Sequence, residues 1–322
     1  MQEFFNSLTK LVKGYSKIII STHKNMDLDG FSSALCLYNI YTKMGKECYI
    51  VLNEVQTNDT IIRSFEKLNS NSFNILYQDE FSKFDFDGCL TIVLDCHRPS
   101  LFEIEEIIDK CFDIIVIDHH IKSPEYIKNT KLMYINTNVS SVAQIITSYS
   151  RYMNYIPDTI LATLLLAAIE VDTNGFKFKT TEYTYETAAY LTKIGADTIV
   201  KQEILRESRE SYLEHQTYIE RSYQINSTMI LCEIDDRIVT AKDLAVIADS
   251  LLQFQNMEAS FCIGKLKENT YGISARSLGN IDVEAIMCKL GGGGHVTEAA
   301  TRVENTTIEE VKNKLIEIIN GG

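Results

Sequence analysis

No Cys-x-x-Cys pair occurs in this 322-residue chain, whose eight cysteines are scattered singly. That spacing argues against a zinc ribbon and gives no sign of a disulfide framework, so reduced thiols in a cytoplasmic protein are expected. Nor is there a run of the roughly 18 to 20 apolar residues that a membrane span needs. The longest such run, 160–169, reads as a buried helix. The N-terminus carries Gln2 and Glu3 and lacks the cationic segment and long apolar core of a secretion signal. Repeats and low-complexity tracts are missing. Positive charge is also short: 31 Lys and Arg stand against 44 Asp and Glu, a net charge of −13. This disfavours a long nucleic-acid partner, because Lys and Arg contacts to phosphate dominate such affinity. A small anionic substrate neutralised by metal stays compatible with it.

The residues that are present suit two domains. In the first part, short β-branched runs at 17–22, 48–53, 89–95 and 113–118 alternate with helical patterns at 31–44 and 101–111. That alternation predicts parallel βαβ units and an α/β fold. Two further helices are expected at 140–152 and 158–172, and a long charged helix at 197–222, without Gly or Pro, serves as connector or belongs to either neighbour. Beyond it, strands at 259–264 and 270–275 and helices at 241–252, 281–290 and 307–319 predict a smaller α+β unit. The expected division is 1–195, a helical connector 196–222, and 223–322.

Of six histidines, five cluster suggestively. His23, His97, His119 and His120 lie beside aspartates after strand-like runs, and His295 sits in a glycine-rich turn; His215 stands apart. The C-terminal edge of strands is where open α/β sheets build their sites. His23-x-x-x-Asp27-x-Asp29 follows the first run; hard carboxylates with imidazole suit manganese, magnesium or iron. A polar turn before a helix, with Asp29 or a neighbour as its cap, explains the same residues equally well. Asp95-Cys96-His97-Arg98 ends the third run, Asp118-His119-His120 the fourth, and Asp172 ends an apolar helix. Four acidic positions with nearby imidazoles are enough for two divalent ions, which together stabilise both oxygens of a phosphoryl displacement. In the second unit, Gly291 to Gly294 and His295 follow a helix, and Ser274-x-Arg276-Ser277 ends a strand. Consecutive glycines can present amides to an anion or simply end a helix. Arg276 offers a planar fork for phosphate.

Taken in order, His23-Asn25-Asp27-Asp29, Asp95, Asp118-His119-His120 and Asp172-Thr173 resemble the four catalytic motifs of the DHH phosphoesterase superfamily. The resemblance covers nearly the whole chain. It implies a parallel-sheet DHH catalytic domain plus a smaller α+β substrate-binding domain, with the active site in the interdomain cleft. Residues 272–277 and 281–283, Gly291 to His295, and Ala299-Ala300-Thr301 are similar to the catalytic part of bacterial cyclic-di-AMP phosphodiesterases. Carried over, the resemblance implies two manganese ions, with magnesium or another divalent metal as substitutes. His23, Asp27 and Asp95 would bind one; Asp29, Asp95, His119 and Asp172 would bind the other. His120 would contact the scissile phosphate, and Asp118 would orient the imidazoles. Ser274, Arg276, Gly292, Gly293, Gly294 and His295 would bind substrate. The expected reaction is hydrolysis of cyclic-di-AMP to pApA by a hydroxide that two metals activate, with continuation to AMP left open. A nanoRNase that also dephosphorylates phosphoadenosine phosphate is the alternative enzyme, and an inactive nucleotide-binding regulator the alternative of another class. Expected partners are cyclic-di-AMP or short linear dinucleotides, with a homodimer left open. Met26 and Leu28 stand where relatives often carry Pro and Gly. The membrane helices, sensory domain and degenerate cyclase-like domain of anchored members find no counterpart in these residues. That leaves regulation open and keeps a linear dinucleotide in play.

Overall fold

Unbroken apolar runs make the central strands of the first sheet, because a parallel sheet covered on both faces has no polar side. The strands are β1 (Lys17–Ser21), β2 (Glu47–Leu52), β3 (Ile75–Tyr77), β4 (Cys89–Leu94), β5 (Ile114–Asp118) and β6 (Leu132–Ile135). They pair in the order β3-β2-β1-β4-β5-β6, every neighbour parallel. All six residues of β4 and all five of β5 are buried. Ile18, Ile20, Ile92 and Ile117 point into one core with the helices Leu28–Lys43, Val142–Tyr152 and Thr159–Asp172. Ile19, Val93 and Val116 face the opposite core with Phe102, Ile104 and Ile127. This computed structural model describes residues 1–52, 58–68, 73–81, 83–104, 106–111 and 113–321. Contacts divide them into two units, Met1–Arg206 and Glu207–Gly322.

The second unit holds β7 (Tyr223–Gln224), β8 (Met229–Ile238), β9 (Ala259–Lys267), β10 (Thr270–Ser277), β11 (Gly293–Gly294) and β12 (Glu298–Glu304). Their order is β11-β12-β10-β9-β8-β7, antiparallel except for the parallel β8–β9 pair. The helices Val283–Lys289 and Ile308–Ile319 cover one face, and Ala241–Leu251 the other.

Several expected elements come out differently. The stretch 101–111 is not one helix: a 3-10 turn at Pro99–Leu101 and a short helix Ile107–Lys110 flank irregular chain, and Glu105 lies outside the described residues. The backbone there pairs with the loop after β1, Lys24 N donating to Leu101 O and Glu103 N to Thr22 O, so those groups are not available to a helical ladder. The long helix at 197–222 is two, Thr198–Leu205 and Arg209–Glu220, because Ser208 in extended conformation caps the second through Ser211 N. The helix expected from 31 begins at Leu28, capped by Asp27, whose Oδ1 accepts from Gly30 N at 3.1 Å. Asn53, the expected end of the second run, lies outside the described residues. Met26 and Leu28 are buried in the core, so their large side chains are accommodated by packing. Among the described residues no helix is long and apolar enough to cross a membrane.

Candidate metal centre

Strand order creates the site. The connection leaving β1 runs to β2 on one side of it, while β4 pairs on the other, so the carboxyl ends of β1 and β4 flank the point where sheet order reverses. Open α/β sheets leave a crevice there. His23 follows β1, Asp95 follows β4, and Asp118 closes β5. Asn25 and Asp95 hold left-handed backbone, φ 55° and 60°. Such conformations in non-glycine residues concentrate where a fold aims a functional group.

The structure brings all six candidate donors together in overlapping sets. His23 Nε2 lies 3.6 Å from Asp27 Oδ1 and 3.4 Å from Asp95 Oδ2. His119 Nε2 lies 3.4 Å from Asp95 Oδ1, 3.7 Å from Asp172 Oδ2 and 3.9 Å from Asp29 Oδ2. His23, Asp27 and Asp95 form one compact donor group, Asp29, His119 and Asp172 a second, and Asp95, His119 and His120 a third. Asp95 turns one oxygen toward each of the first two. Asp29 is fixed from behind: its oxygens accept from Val142 N at 2.7 Å and Ala143 N at 2.6 Å, at the N-terminus of Val142–Tyr152. An anion is favoured at that end of a helix. Asp27 is the cap of the helix Leu28–Lys43, and the same Oδ1 also faces His23.

Charge in the cluster is not balanced by protein groups. Burial pushes the Asp29 carboxyl well above the usual carboxylate range, and the charges of Asp95 and Asp27 push the same way. Burial also raises Asp172, helped by Asp29, Asp27 and Asp95. Burial works against the Asp95 charge too, but His119 and His23 outweigh it and hold that carboxyl below its ordinary range. Asp95 Oδ1 is buried and accepts no hydrogen bond. An orphaned buried carboxylate oxygen, ringed by carboxylates and imidazoles, is what a divalent cation satisfies. The donor set fits such an ion: it is hard, oxygen-rich and contains no thiolate.

Asp118 belongs to the support, not to the donors. It is fully buried, and its Oδ1 accepts from His119 N, His120 N and His120 Nδ1 at 2.7, 3.0 and 2.8 Å. Its Oδ2 meets His97 Nδ1 at 2.5 Å. The His120 side chain is 48% exposed. Burial lowers its basicity, yet the hydrogen bond to Asp118 and the Asp95 charge prevail and raise its pKa to about 9. For His97 and Arg98 the sequence leaves open a contact to substrate or support of a ligand from behind. Their adjacency to Asp95 was the only signal, and adjacency does not reveal a partner more than twenty residues away. Arg98 pairs on the surface with Glu125, Nη2 to Oε2 at 3.2 Å.

In the second unit, Arg276 is oriented by its own neighbours: Nε donates to Asp249 Oδ1 at 2.9 Å and Nη1 to Ser274 Oγ at 3.0 Å. The glycine run departs from an amide nest. Gly291 N donates to Cys288 O, Gly292 N to Met287 O and His295 N to Glu298 O, so these three amides serve the helix end and a hairpin turn. Gly293 and Gly294 pair with Ala300 and Ala299 as β11. Gly292 is required by closeness: a Cβ there would sit 2.2 Å from Ala300 O and 2.4 Å from Thr301 Cβ. Gly292→Ala should destabilise by roughly 1–3 kcal/mol, whereas Gly293→Ala, with no neighbour within 4 Å of its Cβ, should shift the melting temperature little. Equal melting of the two variants would contradict this packing. His215 is buried elsewhere, between Glu207 at 2.6 Å and Asp243 at 3.1 Å.

Residues 17–169 match the DHH family, N-terminal domain, and residues 226–321 match the DHHA1 domain. The cyclic-di-AMP phosphodiesterase GdpP of Geobacillus thermodenitrificans is 33% identical over 321 residues, 98% of this chain and 49% of that protein. The chain thus spans about half the length of that curated relative. The bifunctional oligoribonuclease and PAP phosphatase NrnA of Thermus thermophilus is 24% identical over 313 residues, 96% of this chain and 90% of that one. Among solved structures, an exopolyphosphatase-related protein from Bacteroides fragilis shares the fold, with a TM-score of 0.82 at 18% identity, covering 99% of this chain and 96% of its own.

Proposed function

Because the chain belongs to the DHH family and carries its N-terminal and DHHA1 domains, we propose that it is a two-metal phosphodiesterase that hydrolyses cyclic-di-AMP to pApA. The observation that carries this reading is the Asp95 carboxylate, whose two oxygens face two separate donor sets. His23, Asp27 and Asp95 would hold one divalent cation, and Asp29, Asp95, His119 and Asp172 the other; hard donors favour manganese or magnesium. Ions so held supply Lewis-acid activation of water and of phosphoryl oxygens. The chain's own groups do the positioning. Asp118 holds His120 by Nδ1, leaving the exposed part of that ring to meet a phosphate. Asp249, Ser274 and the Ala275 carbonyl orient the Arg276 guanidinium through Nε and Nη1, and its Nη2 would meet a phosphate oxygen. Gly293, Gly294 and His295 would contact substrate, and Gly292 would act by letting its hairpin close against β12.

Cyclic-di-AMP comes from the relative that is 33% identical over 98% of this chain. A second reading is favoured by a different observation: this chain covers 90% of an NrnA, a protein named as an oligoribonuclease and PAP phosphatase. Purified chain with manganese should convert cyclic-di-AMP to pApA faster than it cleaves pApA, phosphoadenosine phosphate or short RNAs. Brisk cleavage of pApA with none of the cyclic compound would replace the first reading by the second. No turnover of any of the four would leave a nucleotide-binding regulator.

A further inference from the structure

We infer that His97 is a positioning residue: it fixes Asp118 so that Asp118 grips His120 by Nδ1 and sets which ring nitrogen His120 presents. Only the kinetic consequence rests on the phosphodiesterase reading; the geometry stands without it. His97 lies three residues beyond β4 and is 2% exposed. A backbone amide can only donate, so the 2.8 Å contact of Ser123 N with His97 Nε2 places the lone pair on Nε2. The proton is therefore on Nδ1, which donates to Asp118 Oδ2 at 2.5 Å. With Oδ2 engaged there, Oδ1 accepts from the His119 and His120 amides and from His120 Nδ1. Asp118, as an ionised carboxylate, only accepts, so Nδ1 is the donor whatever the charge on the His120 ring. Two hydrogen bonds thus link a buried imidazole of fixed tautomer, through Asp118, to the orientation of a half-exposed one.

A purely structural role is the competing account. His97 Nε2 accepts Ser123 N and so ties down the loop after β5, beside the backbone bond from Ile127 N to the His97 carbonyl that both substitutions below retain. Two amide substitutions separate the accounts. In His97→Asn the amide group takes the place of Nδ1 and keeps a donor for Asp118; in His97→Gln it takes the place of Nε2 and keeps an acceptor for Ser123. If His97 positions His120, His97→Gln should lower kcat by about 10- to 100-fold, the usual effect of losing a partner behind a metal site, with KM nearly unchanged. His97→Asn should lose clearly less. If His97 only tethers the loop, the ranking reverses. Long-range proton–nitrogen NMR of the metal-free protein, with His120 assigned through His120→Gln, supplies a readout independent of turnover. Wild type should show Nδ1–H on both His97 and His120, and His97→Gln should show a shifted Nδ1–H resonance or a rotated ring at His120. Nε2–H on His97 in the wild type, or an unchanged His120 in His97→Gln, would overturn the inference. Wild-type protein that hydrolyses nothing would remove the phosphodiesterase reading, and the spectra would still decide the role of His97.

Discussion

Asp95→Ala should lower kcat/KM by at least about 1000-fold, beyond the 10- to 100-fold typical of losing a residue behind a metal ligand. The size follows from geometry. Asp95 Oδ2 faces His23 at 3.4 Å and Oδ1 faces His119 at 3.4 Å, so one truncation removes an oxygen donor from both proposed ion sites. It also leaves His23, His119 and His120 without the carboxylate that sits among them. Titration calorimetry with manganese should lose its tight sites together, whereas Asp27→Ala, which lies in one donor set only, should spare the other. Turnover by Asp95→Ala within about tenfold of wild type would refute a shared carboxylate, since removing even one preorganised stabilising group typically costs 100-fold or more.

Chelation should lower the melting temperature, and the gap between metal-loaded and metal-free protein should widen as pH rises from 5 to 8. Asp29 and Asp172 have folded pKa values raised by burial and by neighbouring carboxylates. A carboxyl raised on folding is easier to keep protonated in the native state. Above its unfolded value, about 3.9, each further rise in pH therefore takes stability away until the folded value is passed. His120, raised to about 9 by Asp118 and Asp95 against its burial, acts with the same sign: the stability it contributes is lost between its unfolded value and about 9. Asp95 and Asp118 are lowered, and their contribution is already complete above the ordinary carboxylate range. Divalent cations offset the repulsion among the carboxylates and release protons on binding. At metal concentrations about 1000-fold above Kd the stabilisation is about 4 kcal/mol, on the order of 10 °C for a unit of this size. Calorimetric scans with and without chelator across that pH range check it. Melting unaffected by chelator would show that these donors hold no ion.

The sequence alone determined the candidate chemistry of this protein. Hard donors after apolar runs, the doublet His119-His120 and an Asp172 ending an apolar helix are local patterns, because strand ends and helix ends are written by burial and periodicity over a few residues. The alternation of short β-branched runs with helical patterns also made a parallel sheet legible. The tertiary structure alone decided who meets whom. Asp95 stands between two donor sets because β1 and β4 are neighbours at the reversal of strand order, although 72 positions separate His23 from Asp95. A separation of 21 positions likewise hid His97 behind Asp118, and strand pairing hid the reason for Gly292, which is the passage of Ala300 and Thr301 on β12. The irregular chain at 102–104 was likewise invisible locally, whereas the break at 206–208 turns on a local cap, Ser208 to Ser211 N. Backbone pairing with Thr22 and Lys24 outweighs helical propensity at 102–104, and hydrogen-bond partners far along the chain leave no mark in periodicity.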